Sequence, residues 1–232
     1  MMINNLVHEL PRVQKVLQMV SSLNGKVERV VDLGCGNGEI TVIFKQKLGA
    51  KEVYGVDIDE KAILLAERRG IKVYRVNLNE NKLPFSDEFF DLAVSLEVIE
   101  HLINPDNMLR ESYRVLKGGG YLLISTPNLA SWINRAILLL GYQPYNVEVS
   151  TEIIPGVPYR GVTTDKPAGH IRAFTLKALK EFLKHNGFRI AEIAGAPGVY
   201  PKNRFFRQLD RLFSLRASLA RRLIILAVKE ST

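Results

Sequence analysis

"VVDLGCGNGEIT", residues 30–41, decides how the rest of the chain is read. A β-branched run ends at Asp32 and Leu33, glycines follow at every second position (Gly34, Gly36 and Gly38), and an apolar-periodic stretch then runs to about Lys47. Glycines there permit a tight strand-to-helix turn and close approach of backbone to a ligand. Amides exposed at the following helix start favour an anionic group. The segment is therefore either a plain turn or a cofactor cradle. Its spacing is not the G-x-G-x-x-G of dinucleotide enzymes, and no GK[ST] ends it as in a phosphate-binding Walker sequence.

Working outward, "EVYGVD" predicts a second strand ending at Asp57, where a carboxylate can accept bonds from ribose hydroxyls. Dinucleotide enzymes place an acid in related geometry, which keeps NAD as a rival cofactor. "DEKAILLAERRG" has helical spacing, "IKVYRV" (71–76) predicts a third strand and "FFDLAVSL" (89–96) a fourth. In "NPDNMLRESYRVLKGGG" Asn104 suits a helix cap, Pro105 the first turn and the glycine run the stop. "YLLIST" is a fifth strand, and "NLASWINRAILLLG" reads as a helix. Thr175 starts a capped helix ending at Gly187, and "FRIAEIAG" and "LIILAVK" supply two late strands. This alternation predicts an α/β fold, a mainly parallel central sheet with helices on both faces.

A single domain over residues 1–232 is the economical reading. Within it, 142–170 is rich in turns, prolines and aromatics and long for a connection, so it predicts a substrate-side loop or small cap. Tyr142, Tyr145 and Tyr159 are available there to line a pocket or to pack the loop. Trp132, just before it, serves either a core face or the cofactor pocket.

The two most apolar segments, Trp132–Leu140 and Leu223–Val228, are too short to cross a bilayer. "MMINNLVHELPR" lacks the marks of a signal peptide, so cytoplasmic residence is the default expectation. The lone Cys35 cannot form an internal disulfide. The formal charge of +8 favours anionic partners without naming them. Much of it gathers between Lys202 and Lys229, where "RFFRQLDRLFSLRASLARRL" mixes aromatics with arginines. That stretch reads as a solvated rim, as packing against the sheet, or as a peripheral membrane-surface helix. No recognisable motif favours nucleic acid.

Taken in order, the motifs resemble those of class I S-adenosylmethionine-dependent methyltransferases, over about residues 28–128. "VVDLGCGNG" resembles the cofactor loop, "VYGVDID" the acidic ribose-binding strand end, "LPFSDEFFDLAVS" the approach to the fourth strand and "RVLKGGGYLLISTPN" the approach to the fifth. "HIRAFTLKALKEFLKHNGF" is similar to a late segment of the small-molecule branch. The resemblance implies S-adenosylmethionine as cofactor and an antiparallel last strand. It further implies that Asp32 and the backbone of Gly34, Cys35, Gly36 and Gly38 hold the methionine part, that Asp57 takes the ribose with Ile58 beside it, and that Asn77 and Leu78 approach the adenine. Many relatives carry aspartate where Asn77 stands, though an amide can also bond a base edge.

"SLEVIEHLINPD", residues 95–106, adds a charged cluster after the fourth strand. If the segment is helical, Glu97 faces Glu100 and His101 from neighbouring turns. His101 can take a proton from a hydroxyl while Glu100 orients it. Glu97 and Glu100 can instead arrange the methionine end of the cofactor, or the group can hold a hard divalent ion such as magnesium. It can also simply cap a helix. "EVIEH" resembles the Glu-x-x-Glu-His segment of metal-assisted members, including ubiquinone-pathway O-methyltransferases and small-RNA 2'-O-methyltransferases. His170, in "GHIRAF", is the fourth candidate, folded back over the same crevice or lying at a turn; His8 and His185 have surface contexts. The expected activity is in-line methyl transfer to an oxygen of a small molecule. N- or C-methylation, RNA methylation, NAD chemistry and a noncatalytic scaffold are the rivals.

Overall fold

The run Arg29–Leu33 (β1) is apolar on both sides, and both sides are covered: Val30, Val31 and Leu33 are fully buried. Such a strand belongs in the middle of a parallel sheet. The computed structural model, which describes residues 11–23, 27–158, 166–199 and 203–230, places it there. Parallel partners are β2 (Glu52–Asp57) on one side and β4 (Phe90–Leu96) on the other. β3 (Lys72–Arg75) extends the sheet beyond β2, and β5 (Leu116–Pro127) beyond β4. The last strand in sequence, β7 (Arg222–Lys229), runs antiparallel to both β5 and β6 (Phe188–Ala196). The seven strands are ordered β3-β2-β1-β4-β5-β7-β6.

Helices cover both faces. On one, α4 (Pro105–Val115) and α6 (Leu176–His185) contribute Met108, Leu109, Leu179 and Leu183 to a core with Val31, Leu33 and Ile225. On the other, α1 (Pro11–Ser21) and α2 (Glu39–Leu48) bury Val13, Val16, Val20, Ile43 and Phe44 against Val30, Leu92 and Leu123. α3 (Glu60–Arg68) is capped by Asp59, whose carboxylate accepts from the Lys61 and Ala62 amides. α5 (Trp132–Leu139) is capped by Ser131 and α6 by Thr175. α7 (Arg204–Ser214) precedes β7. No helix among the described residues is long and apolar enough to cross a membrane.

Two elements differ from the sequence expectation. α1 is absent from it, although Val13, Val16, Leu17 and Val20 recur at helical spacing and Pro11 opens the helix, as suits a first-turn position. The glycine run does not stop α4. That helix ends when Leu116 turns extended and pairs with Phe90, and the glycines fall inside β5, where the register with β4 slips. Gly119 has φ +75°, and a Cβ on Gly120 would sit 2.9 Å from the Lys117 carbonyl oxygen, so they accommodate a bulge.

Strand order reverses between β1 and β4, which places the ends of both strands at a topological switch point, where open α/β sheets hold ligands. The glycine turn follows β1 and the Glu97–His101 segment follows β4. Two stretches about 60 residues apart in sequence thus become neighbours.

Candidate active site

The turn after β1 needs its glycines for different reasons. Gly34 has φ +81°, and a Cβ there would lie 2.5 Å from Val98 Cγ2, so the turn and the segment after β4 are in direct contact. Gly38 has φ +77° and lies against Ala66 and Ile71, fixing α2 close to α3. Gly36, at φ +52°, has nothing within 4 Å of where its Cβ would be. Of the three, only Gly36 at the crown of the turn has room for a side chain among the described residues.

Asp57 ties that crown to β2. One carboxylate oxygen accepts from Gly36 N at 2.7 Å, and the other from Ile58 N at 2.7 Å and Asp59 N at 3.0 Å. Each oxygen has two lone pairs, so the oxygen that holds Gly36 can still receive one hydroxyl. Ile58 beside it is exposed. Asp32 is buried and accepts from Thr41 Oγ1 at 2.6 Å. Burial, reinforced by the nearby Asp57 charge, pushes its carboxyl up to about 6 against the Thr41 bond. Cys35 is also buried, its Sγ 2.6 Å from where Gly55 would carry a Cβ. Burial raises its thiol, which speaks for a packing role over a nucleophilic one.

Asn77 and Leu78 follow β3. The Asn77 side-chain oxygen accepts from the amide and the side chain of Asn79, both at 3.1 Å, while Leu78 is buried in the core. Asn79 in turn accepts from Ile103 N and Asn104 N. The asparagine-rich turn is thereby sewn to the start of α4.

After β4 the chain is not helical at Glu97. The strand runs to Leu96, Glu97 takes φ +57°, and only Ile99–His101 form a single 3-10 turn. The helical-face reading of Glu97 is therefore corrected. One Glu97 oxygen accepts from Ser125 Oγ at 2.9 Å; the other meets Arg222 Nε at 2.6 Å and an Arg12 guanidinium nitrogen at 3.4 Å. Those charges hold Glu97 as a junction between β4, β7 and α1.

Glu100, His101 and His170 do converge, with one ligand-capable atom from each lying within 4.8 Å of the others. Glu100 is 1% exposed; one oxygen accepts from Thr126 Oγ1 at 2.9 Å and the other has no hydrogen-bond partner among the described residues. Burial first, then the Glu97 charge, push its carboxyl up to about 8. His101 Nδ1 lies 3.0 Å from the Gly169 carbonyl oxygen, so it donates there and Nε2 is the nitrogen left to accept. The imidazoles of His101 and His170 are 5.0 Å apart between centroids, and His170 Nδ1 has no hydrogen-bond partner among the described residues. Burial lowers the His170 pKa, keeping its ring neutral.

Sequence reasoning missed Glu148. Its carboxylate accepts from the amides of Ala168 (2.7 Å), Gly169 (2.8 Å) and His170 (3.1 Å), and lies 3.5 Å from His170 Nδ1. One acid therefore fixes the backbone that presents His170 and the carbonyl that orients His101. Only its position inside an aromatic, proline-rich loop hinted at it. A cavity of about 200 Å³ adjoins, lined by His170, Glu148, Asn134, Tyr145, Arg221 and Arg222 among others. Tyr142 is exposed, and Tyr159 and His8 lie outside the described residues. Trp132 is directed elsewhere: its Nε1 donates to Asp210 at 2.8 Å and its ring stacks on Phe213.

A family model described as a methyltransferase domain matches residues 6–193. A probable S-adenosylmethionine-dependent methyltransferase of Mycobacterium tuberculosis is 37% identical over 99 residues, 43% of this chain and 35% of that protein. A ubiquinone biosynthesis O-methyltransferase of Bordetella avium is 30% identical over 122 residues, 50% of this chain and 49% of that one. These matches thus span a third to a half of the curated relatives' length. Among solved structures, a SAM-dependent methyltransferase from Archaeoglobus fulgidus has a TM-score of 0.63 at 21% identity, over 94% of this chain and 92% of that one, a likeness of fold.

Proposed function

The chain belongs to the methyltransferase domain family, within the class I S-adenosylmethionine-dependent superfamily, and from that premise we propose that it methylates an oxygen nucleophile of a small organic substrate. In-line transfer needs the sulfonium methyl, its sulfur and the acceptor held near a line with water excluded, so positioning supplies much of the rate. S-adenosylmethionine would lie over Gly36, with Asp57 at the ribose and Asp32 near the methionine end. Glu97 would act on that end only through the charges it balances.

The observation that carries the oxygen assignment is the orientation of His101. With Nδ1 committed to Gly169, Nε2 is the nitrogen left to act as a base in the segment after β4, and a hydroxyl, a weak nucleophile while it keeps its proton, gains from losing that proton as it attacks. Residues 142–170 serve in this reading as the substrate-side cap, with Glu148 as its anchor. The ubiquinone-pathway branch is one home for such chemistry, supported by the Bordetella relative.

A second reading is favoured by two buried atoms without a hydrogen bond among the described residues, one Glu100 oxygen and His170 Nδ1, the latter 3.5 Å from Glu148. Glu100, His101 and His170 would hold a divalent ion, which would supply Lewis-acid activation of a hydroxyl. Two imidazoles and one carboxylate suit a borderline ion such as zinc better than magnesium.

The test is a screen with methyl-labelled S-adenosylmethionine against phenols, hydroxylated lipids, amines and RNA. Label on an oxygen supports the proposal, and label on RNA, nitrogen or carbon reverses it. Full turnover after chelation would sink the metal reading and leave His101 as base.

A further inference from the structure

Helix α7 is more apolar on its outside than packing requires. Asp210 and Ser214 are its buried residues, and Phe213 is covered by Trp132. Yet Phe205 is 64% and Leu212, two turns on, 60% exposed, and Leu215 just past the helix is 84% exposed. Beside that stripe run Arg204, Arg207 and Arg211, also one turn apart and exposed. The helix's single acid is turned inward, where it accepts from Trp132 and from Gly198 N.

The cationic surface continues past the end of α7. Ser218 lines an open groove of about 580 Å³ together with Arg135 of α5 and Lys177, Lys180 and Lys184 of α6. Glu181 is the acid in that groove, and it lies 4.0 Å from Lys177. Arg135 stands one turn before Leu139, which is 87% exposed.

We propose that this face, α7 with the adjoining groove, docks on an anionic lipid bilayer. Exposed aromatic and aliphatic side chains flanked by arginines match the two requirements of an interfacial helix, apolar insertion and attraction to acidic headgroups. A second copy of the chain is a poor occupant, because a two-fold contact sets the same arginines against each other. RNA would answer the charge and leave Phe205, Leu212 and Leu215 without an apolar partner.

Docking also reaches the site. Asp210 holds Gly198, Val199 and Arg221 line the cavity that contains His170, and Asp210 lies 4.0 Å from Arg221. A docked α7 sets the acceptor cavity at the lipid boundary, so an amphiphilic acceptor can enter without crossing water. The docking itself is independent of which atom is methylated.

Co-sedimentation with phosphatidylcholine vesicles, with and without phosphatidylglycerol, tests it. Binding should be at least about ten-fold stronger on the anionic vesicles and weaken as salt is added. Phe205→Ser with Leu212→Ser, and separately Arg204→Gln with Arg207→Gln and Arg211→Gln, should each weaken it about ten-fold. Neither set touches the cofactor site, so S-adenosylmethionine affinity and thermal melting should stay as in the parent. Equal binding to both vesicle types would overturn the proposal. So would unchanged vesicle binding by either variant, or self-association or RNA binding through this face in place of vesicle binding.

Discussion

Replacing Gly34 with alanine tests whether the cofactor turn and the Glu97–His101 segment are mechanically coupled. Two costs add. An L side chain at φ +81° enters the left-handed region at about 1–2 kcal/mol. The new Cβ also meets Val98 Cγ2 at 2.5 Å and Cγ1 at 3.2 Å, an overpacking of about 1–3 kcal/mol. Gly34→Ala should therefore cost about 2–5 kcal/mol. Val98→Ala alone removes two partly buried methyls, about 1–2 kcal/mol. In the double variant the clash is gone and only backbone strain and lost burial remain, so its cost should fall short of the sum by about 1–3 kcal/mol. Urea unfolding of the four proteins gives these values, and calorimetric titration with S-adenosylmethionine shows whether binding recovers in parallel. Gly36→Ala is the contrast: nothing lies within 4 Å of its Cβ, so it should cost only backbone strain while reducing cofactor affinity at least as much as Gly34→Ala. Additivity to within about 0.5 kcal/mol would refute the coupling.

Three further outcomes are expected. Asp57→Asn sets an amide donor against the Gly36 N–H or strands the Ile58 and Asp59 amides, costing about 1–3 kcal/mol of stability and at least about ten-fold in S-adenosylmethionine affinity; unchanged affinity would remove Asp57 from the ribose site. Asp32 has its pKa raised from 3.8 to about 6 in the folded chain, so the stability tied to its bound proton is fully present below 3.8 and lost as pH rises through about 6. The shift corresponds to about 3 kcal/mol at most; Asp32→Asn should flatten the fall in cofactor-free stability over that window, and an unchanged pH slope would contradict the burial argument. The Glu148 charge raises the His170 pKa against the larger effect of burial, so Glu148→Gln should move the His170 titration, followed by NMR, to lower pH. A shift upward or none would mean that Glu148 does not face the ring in solution.

How much of this was legible beforehand follows from range. The caps Asn104 and Thr175 are local, each set by a bond to an amide three residues on. Local chemistry is what periodicity and turn residues report. The glycine run at Gly118–Gly120 was misread for the same reason: a stop signal for a helix and a bulge in a strand use the same residue, and only the register of β5 on β4 separates them.

The site is a different case, because its decisive contacts are long-range. Nothing near Glu97 in sequence says that it is held by arginines from α1 and β7, and that fact changes its chemistry from an open ligand to a neutralised junction. Its charge still acts on Glu100, whose carboxyl burial drives up to about 8. Of two acids three residues apart, one is thereby paired with arginines brought from both ends of the chain, and the other has its carboxyl raised by burial and by the charge of the first. The motif "EVIEH" could name these residues but not divide their roles, since the division is made by β7 returning antiparallel beside β5 and carrying Arg222 to the end of β4.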